Sequence, residues 1–330
     1  MSAVVLSKKH HPSLSLESIK SLNKNRIHTV LEFAQTDDDR LLQITNLDAE
    51  EISAIKATLV DYYSGYNVSV RDYFRYLTDV VQPINTGIRG LDLLLEGGLL
   101  PGHLLEICGE SGAGKTQLCT SLAVNVAKRH KVEILYADCK CDFSANRVHQ
   151  MLTAISCTEQ EIHDIMCKIK VQRFFSAESL VEAMENFRAL IDNHDTFKVL
   201  IIDSLPALWY LYQNSKSNCY PLGLLTRLIG ILRKLATENF LCVVVVNLLI
   251  PSAELASKPN NLRRSTQNVV ENSSYPALGK FWETVPTTRI VISKLEGNTI
   301  GPERLLTIWK CNYLKTGDRQ IVTITDVGTS

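Results

Sequence analysis

A glycine-rich segment of eight residues, GESGAGKT, constrains the fold of this chain more than any other feature. It occupies residues 109–116, after an apolar run at 104–108 and before a stretch of helical periodicity at 117–127. Glycines allow backbone N–H groups to wrap an anion, and the N-terminus of the following helix adds partial positive charge. We therefore expect a strand, a tight turn and a helix that together hold a phosphate group.

The segment fits the nucleotide-binding pattern G-x-x-x-x-G-K-[ST] at every fixed position. In that pattern the side chain of Lys115 reaches the β- and γ-phosphates of a nucleoside triphosphate, and the hydroxyl of Thr116 binds Mg²⁺. The alternative interpretation is an ordinary glycine-rich turn before a helix. The predicted nucleotide-binding residues of this segment are Gly109, Glu110, Ser111, Gly112, Ala113, Gly114, Lys115, Thr116 and Gln117.

The composition excludes several classes of protein. The 330 residues are 45% hydrophobic, which is enough for a folded core and suits one large α/β domain with a small one. The formal net charge is zero, so any contact with nucleic acid must come from a local patch. Nine cysteines without zinc-ligand spacing indicate a reduced intracellular protein with structural thiols. We expect neither a membrane span nor a signal peptide, because long apolar stretches are missing.

Residues 1–63 are predicted to form a small helical domain, and Asp48 with Glu51 is predicted to cap its last helix. Paired short helices with polar turns suit a helix-hairpin-helix-like module that holds a DNA backbone. An ordinary mini-bundle or a protein-docking domain fits the same pattern. The residues expected to face its core are Leu14, Leu16, Ile19, Leu22, Ile27, Val30, Leu31, Phe33, Ile52, Ile55, Leu59 and Tyr62.

Residues 64–85 are interpreted as a linker with aromatic and β-branched side chains. Within it, the segment 68–70 is a candidate strand that could join the sheet edge of a neighbouring subunit. The alternative is that this segment packs against its own domain. The large domain is then expected to cover residues 86–330.

Within the large domain, apolar strand-like runs alternate with helical segments, which indicates a parallel sheet covered on both faces. The last three runs alternate between apolar and polar residues and are expected to be antiparallel edge strands. The predicted fold class is therefore α/β, with a mostly parallel sheet and antiparallel edge strands. The predicted strands are 132–137, 170–174, 199–203, 241–247, 289–294, 304–310 and 321–325, and the predicted helices are 147–156, 178–192 and 222–239.

A carboxylate ends one of the buried runs, where Asp203 follows the apolar residues 199–202. In a parallel sheet this position lies at the carboxyl edge, beside the glycine-rich segment, where Asp203 can hold Mg²⁺ through water. Apolar runs that end in aspartate are common, and the alternative role is an N-cap of the next turn. We predict Thr116 and Asp203 as the metal-binding pair.

Four segments carry a family resemblance. They are the glycine-rich segment with its continuation to residue 119, the stretch 86–94, the run 199–204, and residues 275–289, which read YPALGKFW and end in TTR. Together they resemble the eukaryotic RecA-type recombinase family, and the resemblance covers nearly the whole chain. The glycine-rich pattern is common to many ATPases, whereas the combination at 275–289 is much more specific.

The resemblance implies a RecA-like P-loop ATPase core and a nuclear protein that binds ATP with Mg²⁺ in homologous-recombination DNA repair. It also implies a heteromeric complex with other recombinase paralogues. Such complexes bind single-stranded or branched DNA and assist the main recombinase indirectly. No membrane contact is expected.

Two positions depart from what the resemblance implies for an active recombinase. Such an enzyme has a glutamate that orients the attacking water where this chain has Lys140, and a γ-phosphate-sensing glutamine where it has Leu248. Lysine and leucine cannot perform these roles. Asp142 lies close by, but its side chain need not point the same way. We expect ATP binding with weak or absent hydrolysis; the alternatives are an autonomous DNA-dependent ATPase that forms filaments, and a scaffold with a vestigial site.

Two long connections, at about 209–221 and 251–275, are candidate DNA-binding loops, and the resemblance implies that both face DNA. Aromatic residues can stack on bases, and basic residues can hold phosphates. The alternative is that both are solvated linkers whose basic residues touch nothing. The predicted DNA-binding residues are Lys216, Lys258, Arg263 and Arg264, with Tyr210, Tyr212 and Tyr220 as stacking residues.

Overall fold

The computed structural model describes residues 5–63, 68–191, 196–212, 219–251, 274–295 and 301–330. The chain divides into two compact units, Met1–Arg75 and Tyr76–Ser330. The division falls within the linker predicted at 64–85.

The N-terminal unit is built from short helices around one apolar core. The predicted cap is formed: the N–H of Glu51 donates to Oδ1 of Asp48 at 2.7 Å, and the N–H of Asp48 donates to Oε2 of Glu51 at 3.1 Å. This reciprocal pair satisfies donors that the first turn of a helix leaves unpaired. The helices are α1 (Leu16–Lys24), α2 (Val30–Gln35), α3 (Asp38–Ile44) and α4 (Ala49–Tyr63).

Most of the predicted core residues of this unit are buried, but the predictions for Leu16 and Tyr62 are wrong. Their side chains are 58% and 77% exposed. Leu16 is the first residue of α1, whose buried residues are Ser18 and Leu22. The buried face of α4 includes Leu59, and the residue four positions later on the same face is Tyr63. The side chain of Tyr63, rather than that of Tyr62, therefore packs against the core.

Helix α5 (Val70–Val80) begins where a strand was considered. The N–H of Asp72 donates to the hydroxyl of Ser69 at 3.1 Å, and this hydroxyl donates to the Asp72 carboxylate. A Ser-x-x-Asp pair of this kind starts a helix. It outweighs the β-branched residues, so in this single chain a helix begins at Val70 and residues 68 and 69 form no strand. Pairing of this segment with the sheet edge of a neighbouring subunit stays a prediction.

A single sheet runs through the second unit in the order β10-β9-β8-β7-β1-β5-β4-β2-β3, and β6 pairs with β5 outside this path. The strands are β1 (Leu104–Gly109), β2 (Glu133–Asp138), β3 (Ile169–Arg173), β4 (Phe197–Asp203), β5 (Cys242–Pro251), β6 (Ser274–Pro276), β7 (Thr288–Lys294), β8 (Glu303–Cys311), β9 (Arg319–Thr325) and β10 (Gly328–Thr329).

The sheet is parallel from β3 to β7 and antiparallel beyond β7, which confirms the predicted fold class. The prediction that all three late strands are antiparallel edge strands is wrong for β7. This strand pairs in parallel with β1 on one side and antiparallel with β8 on the other. Its sequence resembles an edge strand because the charged residues Arg289 and Lys294 flank the short apolar run 290–292, although Arg289 is only 5% exposed.

Two apolar cores cover the faces of this sheet, because successive strand residues point to opposite sides. Ile107 and Val244 belong to one core, whereas Leu104 and Val243 belong to the other. Helix α9 was not predicted, although Thr158 and Glu161 form a capping box at its start. The helices of this unit are α6 (Arg89–Leu94), α7 (Lys115–His130), α8 (Ala145–Ala154), α9 (Glu159–Lys168), α10 (Ala177–Ile191), α11 (Leu205–Trp209), α12 (Cys219–Thr237) and α13 (Gly279–Glu283).

Among the described helices, none combines the length and the apolar character that crossing a membrane requires. All nine cysteines are free thiols. The described residues contain no group of three or more histidine, cysteine, aspartate or glutamate side chains arranged to hold a metal ion.

Candidate functional site

The glycine-rich segment links the end of β1 to the start of α7, as predicted. Gly112 and Gly114 have φ angles of 73° and 101°, in the left-handed region that disfavours residues with a Cβ. Gly114 is the residue immediately before the helix, so α7 begins at Lys115 with its free N–H groups next to the turn. The local geometry therefore has the features of an anion-binding loop.

The side chain of Lys115 lies across this loop. Its ammonium donates to the carbonyl oxygens of Gly109 at 2.8 Å and Glu110 at 2.6 Å. Burial lowers the pKa of Lys115, and the nearby charge of Lys140 lowers it further. The loop thus holds a cation in position above its own backbone.

The carboxylates of Asp138 and Asp203 end two adjacent strands, β2 and β4, as register partners. Asp203 is 2% exposed, and its Oδ2 accepts a hydrogen bond from the Tyr136 hydroxyl at 2.9 Å. Its Oδ1 is buried without a hydrogen-bond partner in the described part of the chain. Burial raises the pKa of Asp203, and the nearby hydroxyls of Thr116 and Tyr136 oppose this shift. A buried oxygen without a partner, close to a hydroxyl, fits a hydrated divalent cation.

Tyr136 is a member of this site that sequence reasoning missed. It is the one aromatic residue of β2, and it is fully buried. A buried tyrosine hydroxyl requires a hydrogen-bond partner, so its place near the end of the strand was a usable signal. By donating to Asp203, Tyr136 fixes the orientation of that carboxylate.

The position of Lys140 is set by a turn at the end of β2. Asp138 accepts hydrogen bonds from the backbone N–H groups of Lys140, Asp142 and Phe143, each at 3.2 Å. Cys141 lies in the left-handed region, with φ of 60°, and reverses the chain direction between its neighbours. Asp138 is therefore occupied as the acceptor that stabilises this turn.

Lys140 and Asp142 face each other at the rim of a cavity of about 580 Å³. Their charged atoms are 2.7 Å apart, and the side chains are 40% and 50% exposed. Burial alone would lower the pKa of Lys140, but the hydrogen bond with Asp142 and the charge of Asp203 raise it, so Lys140 is positively charged. Asp142 therefore points into the site, with its carboxylate bound to a lysine.

Residues of the C-terminal strands complete the cavity, and sequence reasoning did not find them. Nε of Arg304, on β8, donates to the carbonyl of Ala113 at 3.0 Å, and Ile324 of β9 also lines the cavity.

Nε of Arg147 donates to Oε1 of Gln117 at 3.1 Å, so the side-chain oxygen of this predicted binding residue already has a protein partner.

Leu248 lines the same cavity, at the position where a glutamine would sense the γ-phosphate. Strand β5 continues through Leu248 to Pro251, beyond the predicted end at residue 247. The N–H of Leu248 donates to Oδ1 of Asn247 at 2.7 Å. The apolar side chain of Leu248 presents no hydrogen-bonding group to the cavity.

Behind the site, a buried ion pair joins β1 to β7. The guanidinium of Arg289 donates to Oε2 of Glu106, and the side chains are 6% and 0% exposed. Oε1 of Glu106 accepts from the Asn247 amide at 2.6 Å and from the Trp282 indole at 2.7 Å. The YPALGKFW…TTR segment thus supplies side chains that satisfy a glutamate in the middle of the sheet. Glu106 was not predicted, although an acidic residue within an apolar strand was visible.

The predicted DNA-binding residues Lys216, Lys258, Arg263 and Arg264 lie outside the described residues. The tyrosines at the ends of the first loop are described: the hydroxyls of Tyr212 and Tyr220 donate to the carboxylate of Glu178 at 2.6 and 2.8 Å. Tyr210 lines the cavity of the glycine-rich loop.

The fold and this site define a class: an α/β protein with a RecA-like core and a glycine-rich loop of the kind that binds nucleotide phosphates. Residues 78–326, well over half of the chain, match the family described as Rad51. The chain therefore belongs to the Rad51 family.

Two of the relatives compared are similar over almost the whole length of the chain, and a third over two thirds of it. The chain is 29% identical over 325 residues to "DNA repair protein RAD51 homolog 4" of Mus musculus, covering 96% of this chain and 94% of the relative. It is 26% identical over 324 residues to the protein of the same name from Bos taurus, with the same coverage. It is also 28% identical over 235 residues to "DNA repair protein XRCC3 homolog" of Arabidopsis thaliana, covering 66% of this chain and 77% of that protein. Within the Rad51 family the chain thus resembles the D paralogue.

Proposed function

We propose that this protein is the ATP-binding subunit of a nuclear complex of Rad51-family paralogues in homologous-recombination repair, and that it hydrolyses ATP slowly or not at all. The observation that carries this proposal is a combination of residues around one cavity. Lys115 and Thr116 of the phosphate loop line it together with Lys140 and Leu248, which occupy the positions that hydrolysis and sensing need in an active recombinase. Asp203 is buried at the end of β4, directly before the lining residue Ser204.

The residues present fit a magnesium-bound triphosphate. The backbone N–H groups of the glycine turn and of the first turn of α7 would hold the phosphates, with Lys115 on the β- and γ-phosphates. The Thr116 hydroxyl and Asp203 would hold Mg²⁺, Asp203 through water. Bound there, the metal would supply positive charge that neutralises the phosphates.

The weak hydrolysis follows from the interactions of the carboxylates at the carboxyl edge of the parallel sheet, because these interactions leave no carboxylate positioned as a general base. Asp138 accepts three backbone N–H groups, and Asp203 is held by Tyr136 beside Thr116. Each has a role other than accepting a proton from water. A positioned general base contributes about 10²–10⁴-fold to a rate, so its loss leaves slow turnover.

The relatives' names, which describe DNA repair proteins, support the biological part of the proposal. We propose other paralogues as direct partners, single-stranded or branched DNA as the ligand of the complex, and the main recombinase as an indirect partner. We propose Lys216, Lys258, Arg263 and Arg264 as DNA-contacting residues. Bound ATP then stabilises the assembled complex by linkage.

The first test is nucleotide titration of the full chain. Lys115→Ala should abolish ATP binding in the micromolar range, whereas Lys128→Ala, at the other end of the same helix, should leave it unchanged.

Hydrolysis of radiolabelled ATP, with and without single-stranded DNA, separates this function from its alternative. DNA-stimulated turnover on the scale of an active recombinase would support an autonomous filament-forming ATPase instead. Nucleotide binding that does not depend on Lys115 would indicate a vestigial loop.

The second test addresses DNA. Replacing Arg263 and Arg264 together by alanine, in the protein purified with its partners, should weaken binding to single-stranded DNA of every sequence. It should also reduce the slope of log affinity against log salt, by about 0.7 for each lost phosphate contact. An unchanged slope would remove these two residues from the interface.

A further inference from the structure

Three cationic side chains surround the cavity of the glycine-rich loop: Lys115, Lys140 and Arg304. The phosphate-loop pattern explains Lys115, and Arg304 is occupied by backbone carbonyls, including that of Ala113. Lys140 has a side-chain carboxylate as its partner, Asp142, and this pair lies at the cavity rim, partly in solvent. Of these three cations, Lys140 is therefore the one whose partner is an exposed side chain that a ligand could replace.

Lys140 also lies close to Lys115 and Asp203, the two residues that are expected to mark the triphosphate end of a bound nucleotide. Its charge acts on the ammonium of Lys115 and on the carboxylate of Asp203. In phosphate-loop proteins the lysine reaches the β- and γ-phosphates, and the metal bridges oxygens of the same two groups. Because Lys140 and Lys115 line the same cavity, the ammonium of Lys140 would lie near the terminal phosphates.

The turn that carries Lys140 is fixed by Asp138 through three hydrogen bonds, so the Cα of Lys140 is held while its side chain can change partner. An ion pair with both partners this exposed contributes little to stability, because water solvates the separated charges well. A charge-assisted hydrogen bond to a phosphate oxygen inside the cavity is stronger, since solvent competes less. The exchange of Asp142 for phosphate is therefore favourable.

We propose that Lys140 is a second phosphate-binding lysine, which pairs with Asp142 when the site holds no nucleotide and with the terminal phosphate when ATP is bound. This inference rests on the proposed function, because it requires ATP in the same cavity. Lys140 makes the site selective for the triphosphate: it binds the γ-phosphate and stabilises the charge of uncleaved ATP. The residue that replaces a hydrolytic glutamate thus has a binding role of its own.

The experiment compares ATP and ADP affinities of the full chain by calorimetric or fluorescence titration. Lys140→Gln should lower the affinity for ATP about tenfold or more and the affinity for ADP much less, because ADP has no γ-phosphate. Lys140→Arg, which keeps the charge, should retain most of the ATP affinity. Asp142→Asn should raise the ATP affinity, since the lysine no longer has a competing partner.

The matched control is Lys315→Gln, which removes a lysine from another exposed ion pair, with Asp318 at 3.7 Å, and should change neither affinity. Equal losses for ATP and ADP in Lys140→Gln, or no loss at all, would overturn this inference alone if the unmodified protein binds ATP. If the unmodified protein binds neither nucleotide, the proposed function fails as well. Thermal melting of each variant, measured beside the titration, establishes that the variants are folded.

Discussion

Two ion pairs in the same unit have opposite properties. The Lys140–Asp142 pair is 40% and 50% exposed, and each side chain has one charged partner at the cavity rim. The Arg289–Glu106 pair is 6% and 0% exposed, and Trp282 and Asn247 donate further hydrogen bonds to the glutamate. An exposed pair can exchange its partner for a ligand. A buried, fully hydrogen-bonded pair cannot, because each unpaired charge would lose the compensation for its desolvation.

The two pairs also hold different parts of the molecule. The buried pair joins the central strand β1 to β7, and through Asn247 and Trp282 it connects β5 to the segment after residue 273. The exposed pair belongs to one short turn after β2. The burial of the first pair assigns it to the fold, whereas our proposal gives the second pair a role in nucleotide binding.

The largest expected effect comes from breaking the buried pair. Glu106→Gln leaves the Arg289 guanidinium buried without a countercharge, and we expect it to lower the free energy of unfolding by about 3–5 kcal/mol. Denaturant unfolding followed by circular dichroism measures this loss. The matched control is Glu133→Gln, whose partner Lys170 is half exposed at 3.4 Å, with an expected loss below about 1 kcal/mol. Losses of equal size in the two variants would mean that burial does not distinguish the pairs.

The next effect separates stability from binding at Asp203. Asp203→Asn should lower the Mg²⁺-dependent affinity for ATP about 10- to 100-fold, as for other groups that act on a metal through water. Because burial raises the pKa of Asp203 above its unfolded value, the ionised carboxylate destabilises the folded chain at neutral pH. That destabilisation disappears as pH falls through the folded-state pKa.

The nucleotide-free Asp203→Asn protein should therefore melt at the same temperature as the parent, or higher, at pH 7. The difference between them should become smaller as the pH is lowered. A matched loss of melting temperature and ATP affinity would contradict this prediction, and would give Asp203 a structural role as an N-cap instead.

The smallest effect is expected at the exposed pair. Lys140→Gln should change the free energy of unfolding by less than about 1 kcal/mol, because separated surface charges are well solvated. The same denaturant measurement applies. A loss as large as that of Glu106→Gln would show that the Lys140–Asp142 pair stabilises the fold, and would end the contrast between the two pairs.

Much of the fold was predictable because its signals are local. The periodicity of the apolar runs indicated the parallel sheet, and the glycine pattern indicated the loop between β1 and α7. The capping boxes at Thr158 and Ser69 were equally local, yet they were overlooked, so helices α9 and α5 were missed. The wrong edge assignment of β7 has another cause: whether Arg289 faces solvent or Glu106 depends on which strand lies beside it.

The amino-acid sequence by itself determined the loop that fits a triphosphate, the aspartate beside it, and the two substitutions, Lys140 and Leu248, that argue against hydrolysis. These depend on residue type and on spacing along the chain. Only the tertiary structure decided that Asp142 is bound to Lys140, that Tyr136 orients Asp203, and that Arg289 neutralises a glutamate 183 residues away. Such pairings are set by strand order and by the direction of each turn, because side chains distant in sequence interact only after the sheet has brought them together.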